Sequence, residues 1–163
     1  MQITIKINNL KETLKQLGQL EESMEKPLQE VLMGGGQLIR SEAIKSIQTG
    51  AKSGVIYEKY NPRRQHRASA PGQAPASDTG NLVSKIIVKN SKDQVQVQSN
   101  ADYSKFLEYG TSKMQARPFM FPASVKSTPK IIQATFNKVV QVIKGLAKWV
   151  IMLQNYNKQY LML

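Results

Sequence analysis

The sequence predicts an α+β fold, in which a small antiparallel sheet carries helices on one face and a long helix ends the chain. Apolar and polar residues alternate at 2–7 and at 94–98, which is typical of strands with one buried face. Elsewhere the apolar residues recur every three or four positions, as expected of helices that bury one side. A segment rich in proline and glycine at 49–81 lies between these parts. We predict that it forms a long extended arm, with room for a short hairpin near Val55.

The first 48 residues are predicted to contain the strand at 2–7 and two helices. Four leucines at helical spacing indicate the first helix: Leu10, Leu14, Leu17 and Leu20. Pro27 fits the first turn of the second helix, where its missing N–H costs nothing, and this helix is expected to end near Ile47. The three glycines at 34–36 weaken a helix by roughly 2–3 kcal/mol relative to alanine, so they predict a kink or a very close backbone contact. A phosphate-binding loop is the alternative, but the Gly-Lys-Ser/Thr ending is missing and no buried strand precedes the glycines.

The second half is predicted to form two strands, a short helix, a loop and a long helix. The strands at 82–88 and 94–98 are joined by a polar turn at 90–93. A short helix is predicted at 101–109, because Gly110 is a residue type favoured just past a helix end. We interpret the chain as one domain with four segments: a strand and helices at 1–48, the arm at 49–81, strands, short helix and loop at 82–122, and the C-terminal helix with an apolar tail at 123–163.

Charge is distributed unevenly along the chain. The 163 residues include 23 Lys and Arg against 11 Asp and Glu, a formal charge of +12. Residues 1–50 are neutral, and both later parts are strongly basic, with no acidic residue after Glu108. Such a surplus indicates a polyanionic partner, which could be DNA, an acidic protein surface or a membrane face. A solvated basic surface without a partner explains the charge equally well.

The residue types leave little room for catalysis. The chain has no Cys and a single His, which excludes a disulfide scaffold, a thiolate zinc site, a Cys nucleophile and a multi-histidine metal site. Neither a Gly-x-Ser-x-Gly elbow nor a His-Glu-x-x-His pair occurs. Asp102 and Glu108 are six residues apart, so they do not share a helical face. We therefore predict a protein that is not an enzyme and takes no cofactor. No signal peptide is expected, because the first ten residues lack a long apolar stretch behind a basic one.

A basic cluster lies within the arm and is a candidate contact for a partner or for DNA. Its members are Arg63, Arg64, His66 and Arg67. Arginine pairs bidentately with phosphates or carboxylates, and Tyr57 and Tyr60 just upstream could stack on bases. A solvated loop is an equally good interpretation of these residues.

The C-terminal helix is lined by lysines, namely Lys126, Lys130, Lys138, Lys144 and Lys148. Basic amphipathic segments bind membrane surfaces, so a membrane-active helix at 124–155 is one alternative. More often such a helix packs its apolar side on its own protein and exposes the lysines to water. The apolar tail from Trp149 onward is predicted to pack on a neighbouring subunit, because an exposed patch of this kind favours aggregation.

Three short motifs follow one another in the second half. Their main members are, in order, Thr79, Gly80 and Leu82; Tyr103, Glu108, Tyr109, Gly110 and Thr111; and Arg117, Pro118, Phe119, Pro122 and Ala123. Gly80 and Gly110 can take a positive φ where the chain turns sharply, and with Phe119 they are expected to specify the fold. Glu108 is expected to accept from a backbone donor or from Arg117 and so to fix the loop that follows. The prolines are predicted to keep the third motif extended up to a helix that begins near Ala123.

In this order the motifs resemble the neck and tail-completion (head–tail joining) proteins of long-tailed double-stranded-DNA phages. That family includes relatives of the lambdoid minor tail protein Z. The resemblance covers residues 10–145, with Ser104 in place of the usual alanine after Tyr103. It implies a structural virion protein of the neck or head-proximal tail end, assembled in the host cytoplasm, with no catalysis and no membrane partner.

The resemblance also implies a homo-oligomeric ring around the DNA channel, expected to hold six copies. Such a ring would contact the adjoining neck, connector and tail proteins, and non-specific contact with DNA in the channel is allowed. The competing hypothesis is a basic DNA-binding protein that uses the arm arginines and the C-terminal lysines.

Overall fold

The computed structural model describes residues 10–91 and 94–160, so the strand predicted at 2–7 lies outside the described residues. The elements are α1 (Leu10–Thr49), β1 (Ile56–Tyr60), β2 (Arg63–Arg67), α2 (Asn81–Ser84), β3 (Ile86–Ser91), β4 (Gln94–Ser99), α3 (Ser104–Tyr109) and α4 (Met120–Tyr160). The predicted α+β class is confirmed. The strands form two antiparallel pairs, β1–β2 and β3–β4, in two separate sheets.

The chain divides into two compact units. The terminal unit holds the described parts of 1–31 and 134–163, and the central unit is Leu32–Gln133. In the terminal unit, Nζ of Lys138 lies 3.0 Å from the carboxylate of Glu30, so α4 and α1 are joined there by an ion pair. Because Glu30 is largely exposed, this pair adds little to stability.

The core of the central unit is built from α1, the β3–β4 sheet and the start of α4. Its buried apolar members are Ala43, Ile47, Leu82, Ile86, Ala101, Phe119 and Ala123. Ala43 and Ile47 are one helical turn apart, so they present one side of α1 to this core. Nε of Arg40 donates to the carbonyl oxygen of Ile86 at 2.8 Å, which fixes α1 against the first residue of β3.

The helix α1 is continuous for 40 residues, so the prediction of two helices is wrong at this point. Pro27 lies inside α1 and does not begin a new helix. Proline costs a helix interior about 3 kcal/mol, but packing of an apolar side commonly outweighs such local preferences. The apolar spacing on both sides of Pro27 is compatible with one helix as well as with two.

The glycines at 34–36 provide the close backbone contact that their position predicts. A Cβ atom on Gly36 would lie 2.6 Å from Cγ1 of Val95 and 3.0 Å from Cγ1 of Val88, so the β3–β4 sheet packs directly on the α1 backbone. A Cβ atom on Gly35 would lie 3.2 Å from Ile131, whereas one on Gly34 would meet nothing within 4 Å. The segment is helical throughout, which excludes a phosphate-binding loop.

Adjacent glycine substitutions in α1 are expected to have opposite effects on stability. Gly36→Ala should lower the free energy of unfolding by about 1–3 kcal/mol, because the added methyl group overpacks the contact with the two valines. Gly34→Ala should raise it by about 0.5–1 kcal/mol, because alanine is the better helix former and the space is open. Urea unfolding of both variants measures the difference. Equal stability of the two variants would contradict the close packing at Gly36.

The segment between α1 and α2 contains the β1–β2 hairpin and folds back on itself. The hairpin follows directly after Val55, and its base is closed by a hydrogen bond from the Gly54 N–H to the Ala68 carbonyl at 2.9 Å. Nζ of Lys52 donates to the carbonyl of Ala74 at 2.7 Å, so the two ends of the segment lie close together. Burial lowers the pKa of Lys52 at this position.

The strand predicted at 82–88 is replaced by the short helix α2 followed by β3. Gly80 has φ 77°, and the N–H of Ser84 donates to the Gly80 carbonyl at 3.0 Å, which closes one helical turn. Leu82 of α2 and Ile86 of β3 are both buried. Their spacing of four residues fits the alternation of a strand as well as one turn of a helix, so the sequence alone does not separate the two. The predicted strand at 94–98 agrees with β4, which pairs with β3 so that Val97 lies opposite Val88.

The helix α4 begins at Met120, three residues before the predicted start. Pro122 therefore lies in its first turn, where the N–H that proline lacks would have had no intrahelical partner. The prediction that the prolines keep this stretch extended is wrong from Met120 onward. The helix continues to Tyr160. The side chains from Trp149 onward lie outside the described residues, so the packing of the apolar tail stays a prediction.

Candidate functional site

The three sequence motifs meet around one cleft of the central unit, which we call the motif cleft. It has a volume of about 210 Å³. Its lining includes members of each motif, namely Thr79, Gly80, Leu82, Tyr103 and Arg117. His66 and Ser69 complete the wall on the side of β2. Segments that lie up to about fifty residues apart in the chain thus form one site.

A side-chain hydrogen bond links the first motif to the second. Nδ2 of Asn81 donates to the Tyr103 hydroxyl oxygen at 3.1 Å. The positive φ of Gly80 turns the chain into α2, which places Asn81 at the edge of the cleft and buries Leu82 in the core. The Gly80 turn therefore orients both a polar and an apolar neighbour.

Backbone and carboxylate contacts link the second motif to the third. The N–H of Arg117 donates to the carbonyl of Leu107 at 2.7 Å. Gly110 has φ 79°, and a Cβ atom there would lie 2.8 Å from the Met114 carbonyl oxygen, so glycine is required for the tight turn. The N–H of Thr111 donates to this same oxygen at 2.7 Å. The loop after α3 is thereby held against the helix that precedes it.

The carboxylate of Glu108 caps the N-terminus of α4. Oε2 accepts from the N–H groups of Phe119 at 2.9 Å and Met120 at 3.0 Å, and Oε1 accepts from the N–H of Phe121 at 2.8 Å. A negative charge at a helix N-terminus is favoured by the helix dipole and by the unpaired N–H groups there. Of the two partners predicted for Glu108, the backbone donors are the ones observed, and Arg117 is not among them.

A cluster of opposite charges closes the cleft on the side of the hairpin. The carboxylate of Asp78 is bonded by Lys59 and by Nη2 of Arg64 at 2.5 Å, and Nδ1 of His66 lies 3.9 Å away. The hydrogen bond from Lys59 lowers the pKa of Asp78, burial opposes this shift, and the charge of Arg64 adds to it. The hairpin is thus fixed to the segment that precedes α2.

Strand alternation divides the basic cluster of the hairpin into two faces. Arg64 and His66 point to Asp78, whereas Arg63 and Arg67 lie on the other face and are exposed. The sequence prediction did not include Asp78 in the site. One signal was available, because Asp78 is the sole carboxylate between Glu58 and Asp93 in a strongly basic segment.

The pairing of Asp78 predicts a loss of stability in acid. Because its pKa is lower in the folded protein than the ordinary 3.8, the ion pairs stabilise the fold above that value. This contribution is lost as the pH falls through the lower, folded pKa. We expect Asp78→Asn to unfold at a lower temperature than wild type at pH 7, with the gap closing toward pH 2. Thermal unfolding at both pH values measures this, and a gap that is unchanged at pH 2 would contradict it. Asp102→Asn, which changes an exposed acid in the turn before α3, is the control.

Two polar groups of the cleft wall have no hydrogen-bond partner within the described residues. They are Oγ of Ser69, a residue only 1% exposed, and Nε of Arg117. The part of the chain that the structure describes has no group of three or more acidic or histidine side chains that could hold a metal ion. None of its helices is long and apolar enough to cross a membrane.

Fold and site together define a small α+β protein whose sequence motifs are joined by structural contacts around a polar cleft. Residues 11–110, more than half of the chain, match the family model described as "Bacteriophage HK97-gp10, putative tail-component". The chain belongs to this HK97 gp10-like family of phage tail components. The match includes the first motif and the second as far as Gly110, and it ends before the third.

The comparison with curated proteins found no match, and the comparison with solved structures found none either. The family assignment confirms the coarser part of the resemblance, a structural protein of the phage tail that belongs to the virion. The finer resemblance to relatives of minor tail protein Z stays a prediction.

Proposed function

We propose that this protein acts in the neck or at the head-proximal end of the tail of a long-tailed double-stranded-DNA phage. Several copies, expected to be six, would form a ring that completes the tail or connector and supports the joining of separately assembled heads and tails. Assembly would take place in the host cytoplasm. The observation that carries this proposal is the family match. It is supported by the order of the three motifs, which resembles the order in tail-completion proteins.

Exposed apolar side chains of the central unit support the association of copies into a ring. Phe121, Val125 and Ile132 are each more than half exposed. Their spacings of four and seven residues place them on one side of α4. A contiguous apolar stripe in water is typical of a surface that another protein chain covers. We assign this α4 stripe to contacts between copies of the chain.

The pairing of the basic residues favours assembly over the DNA-binding alternative. Arg64 and Lys59 are engaged by Asp78, and Lys126 lies 2.6 Å from the carboxylate of Glu42, whose pKa this hydrogen bond lowers. Lys138 pairs with Glu30 in the terminal unit. These cations have carboxylate partners within the protein, so each is less available to a phosphate than an unpaired cation would be. Contact with channel DNA would then be limited and non-specific.

Deletion of the gene from its phage tests the proposed function. We expect the lysate to contain separate heads and tails by electron microscopy, with infectivity restored when the protein is supplied from a plasmid. Normal virions from the deletion would overturn the proposal.

The ring is tested on the purified protein by sedimentation velocity and native mass spectrometry. Ile132→Ser is expected to reduce the oligomer to smaller species, because it removes an exposed apolar contact without opening the core. Lys130→Ser, an exposed position on the opposite side of α4, is the matched control. A monomeric wild-type protein under assembly conditions, or equal oligomers of both variants, would contradict the assignment of the α4 stripe.

A further inference from the structure

We propose that the motif cleft binds an acidic side chain of a different, adjoining protein of the particle, with the guanidinium of Arg117 as the principal contact. This inference rests on the proposed function, because it names the chemistry by which the ring would hold a partner. It assigns to Arg117 and Ser69 a binding role in addition to their place in the fold.

The first argument is the unpaired polar atoms of the cleft wall. Oγ of Ser69 and Nε of Arg117 are both shielded from water and lack a hydrogen-bond partner among the described residues. Polar groups in such positions are almost always hydrogen-bonded, because an unpaired one costs about 1–3 kcal/mol. Both residues line the same cleft, whose volume of about 210 Å³ has room for the end of a side chain. A ligand acceptor that displaces part of the wall and reaches either atom would satisfy a group that otherwise stays unpaired.

The charge of Arg117 indicates an anionic ligand, and two carboxylates of the segments around the cleft, those of Asp78 and Glu108, are engaged with other groups. Asp78 is the one carboxylate that lines the cleft, and it is held by Lys59 and Arg64. Glu108 follows the lining residue Leu107, but its two oxygens accept three backbone N–H groups at the start of α4. Among the described residues, the guanidinium of Arg117 therefore has no carboxylate partner, and an anion supplied by another protein could pair with it.

The shape and charge of the cleft favour a carboxylate over a DNA phosphate. Asp78 in the wall repels the several phosphates of a duplex more strongly than it repels the single charge of one Asp or Glu side chain. The planar guanidinium fork matches a carboxylate bidentately. Because each copy carries a formal charge of +12, a partner with an excess of acidic residues complements it better than a second copy does.

Titration of the full-length protein with a short acidic peptide tests this inference. The probe is acetyl-Gly-Glu-Gly-amide, followed by amide chemical shifts, and the matched control is the same peptide with Gln in place of Glu. We expect the Glu peptide to shift the resonances of residues that line the cleft. We expect Arg117→Gln to weaken its binding about tenfold or more, and Arg117→Lys to weaken it less, since it keeps the charge but loses the fork.

A second variant keeps the test decisive if Arg117→Gln fails to fold. Ser69→Ala removes only the unpaired hydroxyl and is expected to weaken peptide binding several-fold while the circular dichroism spectrum stays unchanged. Equal affinity for the Glu and Gln peptides, or unchanged affinity in the variants, would overturn the inference.

Two further outcomes identify a different occupant and would also overturn it. Competition with the peptide by a 20-base-pair DNA duplex would assign the cleft to phosphate. Loss of self-association in Arg117→Gln would assign it to a second copy of the chain. Because peptide binding is measured on the purified protein and head–tail joining on the phage, failure of this inference is distinguishable from failure of the proposed function.

Discussion

Replacing Phe119 with alanine is expected to lower the free energy of unfolding by about 3–5 kcal/mol, as large-to-small changes of buried aromatic residues do. Phe119 is 1% exposed and is the largest fully buried side chain described. It packs in the core of the central unit with Ile47 of α1 and Ile86 of β3. Its removal leaves a cavity between elements that cannot close independently, since each is held by other contacts.

The matched control for this substitution lies two residues further along the chain. Phe121 is 68% exposed, so Phe121→Ala is expected to change the free energy of unfolding of the dissociated protein by no more than about 0.5 kcal/mol. Urea unfolding monitored by circular dichroism compares the two variants under conditions where the chain does not self-associate. A loss in Phe119→Ala that is no larger than in Phe121→Ala would show that the core does not depend on Phe119. The expected contrast separates the two phenylalanines of the third motif, one as a core residue and the other as a surface contact.

Local patterns in the sequence predict the parts of the fold that depend on neighbours in the chain. The alternation at 94–98 predicts β4, and the glycines at 34–36 predict the close approach at Gly36. Both follow from single segments, because an alternating run suits one face of a sheet and glycine alone tolerates such a contact. The α+β class follows from this alternation together with the spacing of apolar residues every three or four positions in the helices.

Contacts between distant segments decide the features that the local patterns do not. A proline within helical spacing is compatible with a helix start or a helix interior, and packing makes Pro27 an interior residue. The start of α4 is set by Glu108, which is twelve residues before Met120 and is separated from it by a loop. Apolar periodicity alone could not locate a helix N-terminus that depends on such a side chain.

The candidate site, too, is predictable where it depends on local motifs and not where it depends on contacts between distant segments. The motifs indicate which residues meet, but the ion pairs of Asp78 join residues 14 and 19 positions apart on a hairpin and a loop. Their pairing depends on which face of β2 each residue occupies, and strand phase was not predicted for this segment. The unpaired state of Arg117 is likewise visible only after Glu108 is seen to bond elsewhere.

Replacing Glu108 with glutamine is expected to lower the free energy of unfolding by about 2–4 kcal/mol, although the two side chains have nearly the same shape. The amide has one acceptor oxygen, and its NH2 group would face an N–H donor at the start of α4 that the carboxylate now accepts. The substitution also removes the negative charge that the helix N-terminus favours. The loss should exceed that of an ordinary exposed helix cap, because three donors depend on one side chain and two of them belong to a part-buried segment.

Asp102→Asn is the control for Glu108→Gln, since it removes an acidic charge from an exposed position shortly before α3. Its effect is expected to stay within about 0.5 kcal/mol. Hydrogen exchange gives a second, local readout: the amides of Phe119, Met120 and Phe121 should exchange faster in Glu108→Gln and at the wild-type rate in the control. Equal stability of the two variants, with unchanged exchange at these amides, would mean that water or another group can replace the cap. The predicted pattern instead makes Glu108 the residue that fixes where α4 begins, and thereby the position of Phe119 in the core and of Arg117 at the motif cleft.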